Sequence, residues 1–165
     1  MAISQKVESY LKAKKYKFSA VEHKTTFTAW DTAQTEKINP KEVAKTLVMK
    51  ADNDYILAVG PGNRNLDKAK LLKLVNSQRK KSGFKTCKKI DLAPEAWMKK
   101  HILGKVGATP PFRGMLNLDI YADNLLLKNK KIYLGSGEYT LSLLVNVSQY
   151  IKNEKPARGS FSKKK

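Results

Sequence analysis

A lysine within an apolar segment is the first residue whose position suggests chemistry. Lys45 and Thr46 interrupt the segment KEVAKTLVMK, residues 41–50, in which Val43 and Leu47 belong to the apolar pattern of a buried strand. Burying an ammonium group without a partner costs free energy, so such a lysine usually has a shifted pKa or a bound anion. The alternative is that Lys45 lies where the strand begins, with its stem on apolar surface and its charge in water.

A glycine- and proline-containing loop is the second such feature. In GATPPFRG, residues 107–114, Pro110 and Pro111 restrict the backbone. Gly107 would permit close approach of a ligand, and Phe112 would offer an aromatic wall. The alternative is a rigid surface connection. A later GSG sequence, residues 135–137, is typical of a tight turn at the end of a strand.

Common catalytic signatures are absent from the sequence. His23, His101 and the single cysteine, Cys87, do not form a metal-ligand spacing. The sequence contains no G-x-S-x-G nucleophile elbow, dinucleotide-binding fingerprint or Walker sequence. We therefore expect no metal and no cofactor, and an enzyme with this sequence would work without these groups.

Net charge indicates the class of partner. The chain of 165 residues has 33 Lys and Arg against 14 Asp and Glu, which gives a formal charge of +19. Such an excess favours a polyanion, most often a nucleic acid, and gives salt-sensitive association. The alternative is a lysine-rich composition without any such partner.

The periodicity of apolar residues predicts which elements position these groups. Strands are predicted within residues 17–23, 44–50, 55–60, 116–122 and 131–137, and at the start of 138–151, which ends as a short helix. Helices are predicted at the N-terminus and within residues 25–37, 66–76 and 93–103. Several strands are joined too closely for crossover helices. The sequence therefore predicts an α+β fold with a mixed, mostly antiparallel sheet surrounded by helices.

The two ends of the chain differ in pattern. Near the N-terminus, Ile3, Val7, Tyr10 and Leu11 share one face of an amphipathic helix, which would lie on a membrane surface or pack on its own domain. We expect one domain over residues 1–152 and a basic, disordered tail over 153–165. No apolar run of about 18 residues and no secretory signal occurs, so we expect a cytoplasmic protein with no membrane partner.

Four segments together resemble a known family. In chain order they are VAKTLVMK, YILAVGPGNRNLDKAKL, GKVGATPPFRG and IYADNLLLKNKKIYLGSG. Their order and their spacing along the chain both contribute to the resemblance. Residues 4–152 resemble the YbaK/prolyl-tRNA-synthetase-associated family, whose ProX-like editing domains hydrolyse mischarged aminoacyl-tRNA. The resemblance implies this fold and an aminoacyl-tRNA deacylase that acts in translation quality control. It also implies tRNA as a partner through its acceptor end, and prolyl-tRNA synthetase as a possible second partner.

The resemblance assigns residues to the site. It implies catalytic roles for Lys45 and Gly107. It implies a substrate-binding group of residues: His23, Thr46, Pro111, Phe112, Gly135, Ser136 and Gly137. Relatives commonly continue the Pro-Phe pair with glycine, whereas this chain has Arg113. At the pocket rim its guanidinium would grip a tRNA phosphate or narrow the opening. Asp123 matches an acidic position that we interpret as structural.

Two basic segments, residues 78–89 and 98–105, then become candidates for following the tRNA backbone. The first has six Lys and Arg and no acid, with Phe84 among them. The predicted tRNA-binding residues are Lys80, Lys81, Lys88, Lys89, Lys99, Lys100 and Arg113. The alternative is a solvated lysine-rich face.

A mechanism for ester hydrolysis can be written on this assignment. Backbone N–H groups near Gly107 would polarise the ester carbonyl, and Lys45 would bind the terminal phosphate or an ester oxygen. No strong general base is evident in the sequence, so the free ribose hydroxyl of the substrate would help to activate water. The expected substrates are Ala-tRNA(Pro) or Cys-tRNA(Pro). Two alternatives remain: a non-catalytic tRNA- or synthetase-binding module, and an editing domain from a longer prolyl-tRNA synthetase.

Overall fold

The computed structural model describes residues 4–102 and 104–165. The predictions for Ile3 and Leu103 lie outside the described residues. Within those ranges the helices are α1 (Gln5–Ala13), α2 (Ala29–Glu36), α3 (Lys68–Lys81), α4 (Glu95–His101), α5 (Arg113–Leu116), α6 (Asn124–Leu127) and α7 (Val147–Glu154), with a 3₁₀ turn at Pro40–Glu42. The strands are β1 (Phe18–Glu22), β2 (Ala44–Ala51), β3 (Asp54–Pro61), β4 (Arg64–Leu66), β5 (Ile90–Leu92), β6 (Asp119–Asp123), β7 (Lys131–Gly135), β8 (Leu141–Asn146), β9 (Ala157–Gly159) and β10 (Ser162–Lys164).

The strands form two main sheets. The larger has the order β5-β2-β3-β6-β9, in which β3–β6 and β6–β9 are parallel and the other pairs antiparallel. The smaller is antiparallel with the order β1-β8-β7, and β10 pairs separately with β4. The predicted α+β class, with a mixed and mostly antiparallel arrangement, is confirmed.

A tight hairpin joins β2 and β3 and fixes their register. Asp52 adopts the left-handed conformation with φ of 54°, which short polar side chains tolerate in turns. Its carboxylate accepts hydrogen bonds from the backbone N–H groups of Lys88 and Lys89, both at 3.0 Å. The hairpin places Lys45 opposite Gly60, at the far end from the turn.

The larger sheet separates two apolar cores because side chains alternate along each strand. Ala44 and Val48 face the core that is shared with the smaller sheet, where Leu143 is also buried. Met49 faces the second core, together with Phe161. Because of this alternation, only side chains on the same face of β2 can line the same pocket.

The N-terminal helix packs on its own domain. Val7 and Leu11 are fully buried in the first core, and Tyr10 packs against it. The Ser4 hydroxyl caps the helix by accepting from the Val7 N–H at 3.3 Å. No helix in the described part of the chain is long and apolar enough to cross a membrane.

The prediction of a disordered tail over residues 153–165 is wrong. The segment forms β9 and β10, and Phe161 is only 2% exposed. Asp123, which is fully buried, accepts the Phe161 N–H at 2.9 Å and the Leu125 N–H at 2.9 Å, which supports its structural interpretation. Composition predicted disorder because lysines dominate, but one buried aromatic residue and two strand pairings are enough to order the segment.

Candidate active site

A small cavity lies between the smaller sheet, the start of β2 and the loop after α4. Its volume is about 30 Å³. The residues of chemical interest that line it are His23, Thr26, Thr32, Gly107, Gly135, Glu138 and Ser142. Three of the residues predicted for the site, His23, Gly107 and Gly135, therefore meet in one place.

A histidine and a serine form the most polar contact in this cavity. The His23 Nε2 lies 2.9 Å from the Ser142 Oγ, and the His23 Nδ1 lies 2.7 Å from the Lys24 carbonyl oxygen. Strand pairing holds the two residues together, because Val21 in β1 is opposite Ser142 in β8 and the His23 N–H donates to the Thr140 carbonyl.

These contacts fix the tautomer of the neutral imidazole. A carbonyl oxygen can only accept, so Nδ1 carries the proton and donates it to Lys24. Nε2 is then the acceptor, and the Ser142 hydroxyl donates to it. The arrangement orients a basic nitrogen towards a hydroxyl that lines the cavity, which is the geometry of an activated hydroxyl or of a proton relay.

The Gly107 loop supplies backbone donors at the same cavity. Gly107 has φ of 91°, and a Cβ there would collide with the Phe27 carbonyl oxygen, so only glycine fits without rearrangement. Within the described residues, the Gly107 N–H forms no backbone hydrogen bond. This group is therefore available to a ligand oxygen.

The Gly-Ser-Gly turn packs against that loop by its backbone. A Cβ at Gly135 would lie 2.7 Å from the Ala108 carbonyl oxygen, and the Gly137 N–H donates to the same oxygen at 2.7 Å. The Ser136 hydroxyl is buried and donates to the Leu141 carbonyl at 2.6 Å. Gly135 thus lines the cavity, whereas Ser136 and Gly137 hold the turn.

Phe112 and Pro111 lie in the core and not at the cavity. The Phe112 ring is fully buried and packs between Tyr10 and Tyr16, with ring centroids 5.3 and 5.7 Å away. The Pro111 carbonyl accepts the Tyr150 hydroxyl at 2.7 Å. The expectation of an aromatic wall at Phe112 is corrected, because the loop turns inward after its prolines.

Arg113 anchors the structure through its guanidinium and does not line the small cavity. Its Nε donates to the Glu154 carbonyl at 2.9 Å and its Nη2 to the Lys155 carbonyl at 3.2 Å, while Nη1 forms an ion pair with Asp119. Because the guanidinium holds the end of α7, the structure gives it a structural role, and its contact with tRNA stays a prediction.

Lys45 and Thr46 point to opposite faces of β2, so they cannot line the same pocket. Lys45 is half-buried and lines a second small pocket with Gly60, Arg64 and Ser162. Burial, reinforced by the nearby charge of Lys165, lowers the pKa of the Lys45 ammonium group. Ala44 on β2 lines the first cavity, and Lys45 therefore lies on the opposite face of β2 from that cavity.

Thr46 carries an unsatisfied polar atom. Its Oγ1 is buried without a hydrogen-bond partner among the described side chains. Thr46→Val should therefore raise the free energy of unfolding by about 1 kcal/mol, because the desolvation cost of the hydroxyl disappears with little change of shape. Urea denaturation measures this effect, with the exposed Thr86→Val as a control that should change little. A lower midpoint for Thr46→Val would show that the hydroxyl has a partner.

The predicted tRNA-binding lysines lie on the surface. Lys80 and Lys81 end α3, Lys88 and Lys89 precede β5, and the α4 lysines are also exposed. Some form exposed ion pairs, such as Lys89 with Asp91 at 3.3 Å, which contribute little to stability. Phe84 lies among them and is 69% exposed. A role for these lysines in tRNA binding stays a prediction.

Several cavity residues were missed from the sequence. Ser142 is a polar residue within the apolar run LSLLV, and this interruption was the signal that could have indicated it. Its neighbours Leu141 and Leu143 are buried. The Thr26 and Thr32 hydroxyls lie 2.7 Å apart on the cavity wall. Within the described ranges, no group of three or more His, Cys, Asp or Glu residues could hold a metal ion.

Comparison with protein-family models identifies the family of this chain. The family model for the aminoacyl-tRNA editing domain matches residues 23–152, which begin at His23 and contain the whole cavity. This chain belongs to the aminoacyl-tRNA editing domain family. The resemblance seen in the sequence is thereby confirmed.

Several solved structures share the fold. One, a hypothetical protein, has a TM-score of 0.80 and 23% identity, covering 96% of this chain and 100% of its own. Another, a proposed trans-editing enzyme for prolyl-tRNA synthetase, has a TM-score of 0.74 and 18% identity, covering 98% of this chain and 99% of its own. No curated protein matches significantly. At these identities the likeness shows the fold alone.

Proposed function

We propose that this editing domain is an aminoacyl-tRNA deacylase that hydrolyses the ester between a small, mischarged amino acid and the terminal ribose of tRNA. The observation that carries the proposal is the cavity that the Ser142–His23 pair and Gly107 line together. A family of editing domains and a neighbour proposed as a trans-editing enzyme support it.

The geometry supports a water-mediated mechanism without a metal. Ser142 passes a proton to the His23 Nε2 as it accepts one from water, and the resulting hydroxide attacks the ester carbonyl. The Gly107 N–H donates to the oxyanion that develops. When the tetrahedral intermediate collapses, the ribose oxygen leaves with the proton that His23 returns through Ser142. His23 thus supplies the general base that the sequence alone did not reveal.

Cavity size supports the choice of substrate. The cavity is small, about 30 Å³, which favours a short amino-acid side chain over a proline ring. Ala-tRNA(Pro) is therefore the substrate that we propose first, with Cys-tRNA(Pro) as the larger competitor. Discrimination by a single methylene amounts to only about 1–3 kcal/mol, so exclusion of the bulkier ring carries most of the specificity.

Exposed aromatic rings beside the cavity suit the unpaired end of tRNA. Phe27 is 58% exposed and Trp30 is 42% exposed, and the residues between them, Thr28 and Ala29, line the cavity. Protein aromatic rings stack on unpaired bases when single-stranded RNA ends are recognised. The two rings therefore support an approach of the terminal nucleotides to this side of the molecule.

A panel of aminoacylated tRNAs tests the function directly. We expect hydrolysis of Ala-tRNA(Pro) to exceed that of Cys-tRNA(Pro), and Pro-tRNA(Pro) to be left intact. Excess EDTA should leave the rate of hydrolysis unchanged, because the proposed mechanism uses protein groups and water and no metal ion. Release of labelled amino acid measures each rate. Failure to hydrolyse any member of the panel would favour the non-catalytic binding module, and hydrolysis of Pro-tRNA(Pro) would contradict the size argument.

The surface lysines should act in capture of tRNA and not in the chemical step. Replacing Lys80, Lys81, Lys88 and Lys89 together with glutamine should weaken tRNA binding and reduce its salt dependence, because fewer counterions are released. Filter binding at several salt concentrations measures both effects, and the single-turnover rate at saturating tRNA should stay near wild type.

A matched control changes the same net charge elsewhere. Four exposed lysines away from these segments serve this purpose: Lys6, Lys17, Lys128 and Lys130. Their replacement should leave the salt slope close to that of the wild type. Equal losses of tRNA affinity in the two quadruple variants would show that the net charge of +19 attracts tRNA without any specific lysine contacts.

A further inference from the structure

An acidic residue stands at the small cavity without a part in the proposed hydrolysis. Among the described residues that line this cavity, Glu138 is the only Asp or Glu. It follows the Gly-Ser-Gly turn directly, and its side chain is 32% exposed. Lys and Arg outnumber Asp and Glu by 33 to 14 in the chain, so a carboxylate at this position is a distinctive feature of the cavity.

Backbone hydrogen bonds hold Glu138 next to the Gly107 loop. The Gly137 N–H donates to the Ala108 carbonyl at 2.7 Å, and the Lys105 N–H donates to the Gly137 carbonyl at 2.8 Å. The turn that carries the carboxylate is therefore tied to the loop on which the proposed mechanism places the ester carbonyl. A substrate bound at Gly107 would lie beside Glu138.

An exposed lysine is the present partner of the carboxylate. The Lys105 Nζ lies 2.9 Å from the Glu138 Oε2, and the lysine side chain is 52% exposed. Lys105 is not among the described residues that line the cavity, so the ion pair lies at the edge of the cavity. Ion pairs with such exposed side chains contribute little to stability, and a carboxylate can accept several hydrogen bonds. A second cation can therefore replace the lysine at little cost.

An aminoacyl ester brings such a cation to this place. Its α-amino group is bonded to the carbon atom that also carries the ester carbonyl, so the two groups enter the cavity together. An ammonium group has donors and no acceptor, and its removal from water costs free energy unless a negative charge pairs with it. Glu138 carries a negative charge at the cavity, next to the loop that would hold the carbonyl.

We infer that the Glu138 carboxylate binds the α-ammonium group of the aminoacyl ester, displacing Lys105, and that it restricts hydrolysis to esters with a free amino group. The inference rests on the proposed deacylase function for the identity of the ligand. It adds selection by charge to selection by the size of the cavity. An ester with a hydroxyl or an acylated nitrogen at the same carbon would leave the carboxylate without its cation.

Two analogues that cannot be hydrolysed test the contact without catalysis. In 3′-(L-alanylamino)-3′-deoxyadenosine an amide replaces the ester and the α-amino group is free, whereas the lactoyl analogue has a hydroxyl of similar size in its place. We expect wild-type protein to bind the amine at least about tenfold more tightly, because hydrogen bonds between charged groups are the stronger ones. Glu138→Gln should lose most of this preference while the lactoyl analogue binds as before. Calorimetric or NMR titration measures both affinities, and melting curves show whether the variant is folded.

Two further variants separate substrate binding from a purely structural ion pair. Because Lys105 competes with the substrate for the carboxylate, Lys105→Gln should raise the preference for the amine above the wild-type value. The matched control is Glu95→Gln, since Glu95 also pairs with a lysine, Lys99 at 3.6 Å, and is not among the described residues of the cavity wall. It should leave the preference unchanged. A full preference in Glu138→Gln, or equal losses in the Glu138 and Lys105 variants, would overturn the inference.

Hydrolysis then distinguishes this inference from the proposed function. In an active protein, Glu138→Gln should lower kcat/KM for Ala-tRNA(Pro) about tenfold and change that for lactyl-tRNA(Pro) little, because only the first substrate loses a contact. An active wild-type protein that hydrolyses the two esters equally well would contradict only the role of Glu138. A preference for the amine analogue that depends on Glu138, in a protein that hydrolyses no ester, would contradict only the deacylase.

Discussion

Replacing His23 with alanine should slow single-turnover hydrolysis of Ala-tRNA(Pro) by at least about 100-fold, since general-base catalysis typically contributes 10²–10⁴-fold. The reason is that the Nε2 of His23, 2.9 Å from the Ser142 oxygen, is the proton acceptor in the proposed mechanism. The affinity for uncharged tRNA should change little, because His23 acts on the ester. Added imidazole should restore part of the rate to the alanine variant, which a purely structural role would not allow.

The chain offers a matched control in its other histidine. His101 is exposed and stacks on Trp97, with ring centroids 4.7 Å apart, and it does not line the cavity. His101→Ala should hydrolyse the substrate at nearly the wild-type rate. Should His23→Ala also keep full activity, the substrate's own ribose hydroxyl would be the base, and His23 would only support Ser142.

Ser142 has two distinguishable roles in such a pair. As a relay to water, Ser142→Ala should reduce the rate by a factor similar to that of His23→Ala, and the double variant should lose little more, because the two residues act as a unit. An amino acid covalently trapped on wild-type protein after acid quench would instead show direct attack by Ser142. Either result retains His23 as the group that receives the proton.

The largest effect on stability should come from Glu154, a fully buried carboxylate at the end of α7. It accepts hydrogen bonds from the Tyr10 hydroxyl at 2.8 Å, the Tyr16 hydroxyl and the Arg113 N–H at 2.7 Å. Burial, with Glu154 as the next cause, raises the pKa of both tyrosines, so their hydroxyl groups stay protonated and continue to donate at neutral pH.

Glu154→Leu should lower the free energy of unfolding by about 3–5 kcal/mol, because three hydrogen-bond donors lose their shared acceptor. Urea denaturation followed by far-UV circular dichroism measures this. The control is Glu8→Gln, which removes an exposed i,i+4 ion pair with Lys12 and should cost about 0.5 kcal/mol or less. A loss for Glu154→Leu no larger than the control's would show that the core compensates for the missing carboxylate.

Local patterns predicted most of the fold. The β2–β3 hairpin followed from two apolar runs joined by a polar turn, and α3 followed from its helical periodicity. The short elements β4 and β5 were missed because three residues carry too little pattern to be recognised. The order of residues 157–165 was missed for another reason: it depends on Phe161 meeting Asp123, a contact that spans 38 positions of the chain.

The site was predictable only in part for the same reason. Gly107 was found because glycine marks close backbone approach, and Gly135 was found through the family resemblance. The His23–Ser142 contact joins residues 119 positions apart, so it appears only when β1 and β8 pair. Lys45 and Thr46 were placed together because they are adjacent in sequence, whereas strand alternation separates them. The inward turn of the loop at Phe112 and Arg113 could not be predicted from the sequence. It depends on tertiary contacts with Tyr10 and Glu154.

The two partners of the His23–Ser142 hydrogen bond are held by strands that differ in their resistance to opening. Ser142 lies on β8, which is hydrogen-bonded on both sides in the described three-stranded sheet, whereas His23 follows β1, the outer strand of that sheet. Outer strands separate from their sheets in local fluctuations that leave inner strands protected from hydrogen exchange. Fraying of β1 would therefore carry the imidazole away from the hydroxyl in a molecule that is still folded, so warming would inactivate the site below the temperature of global unfolding.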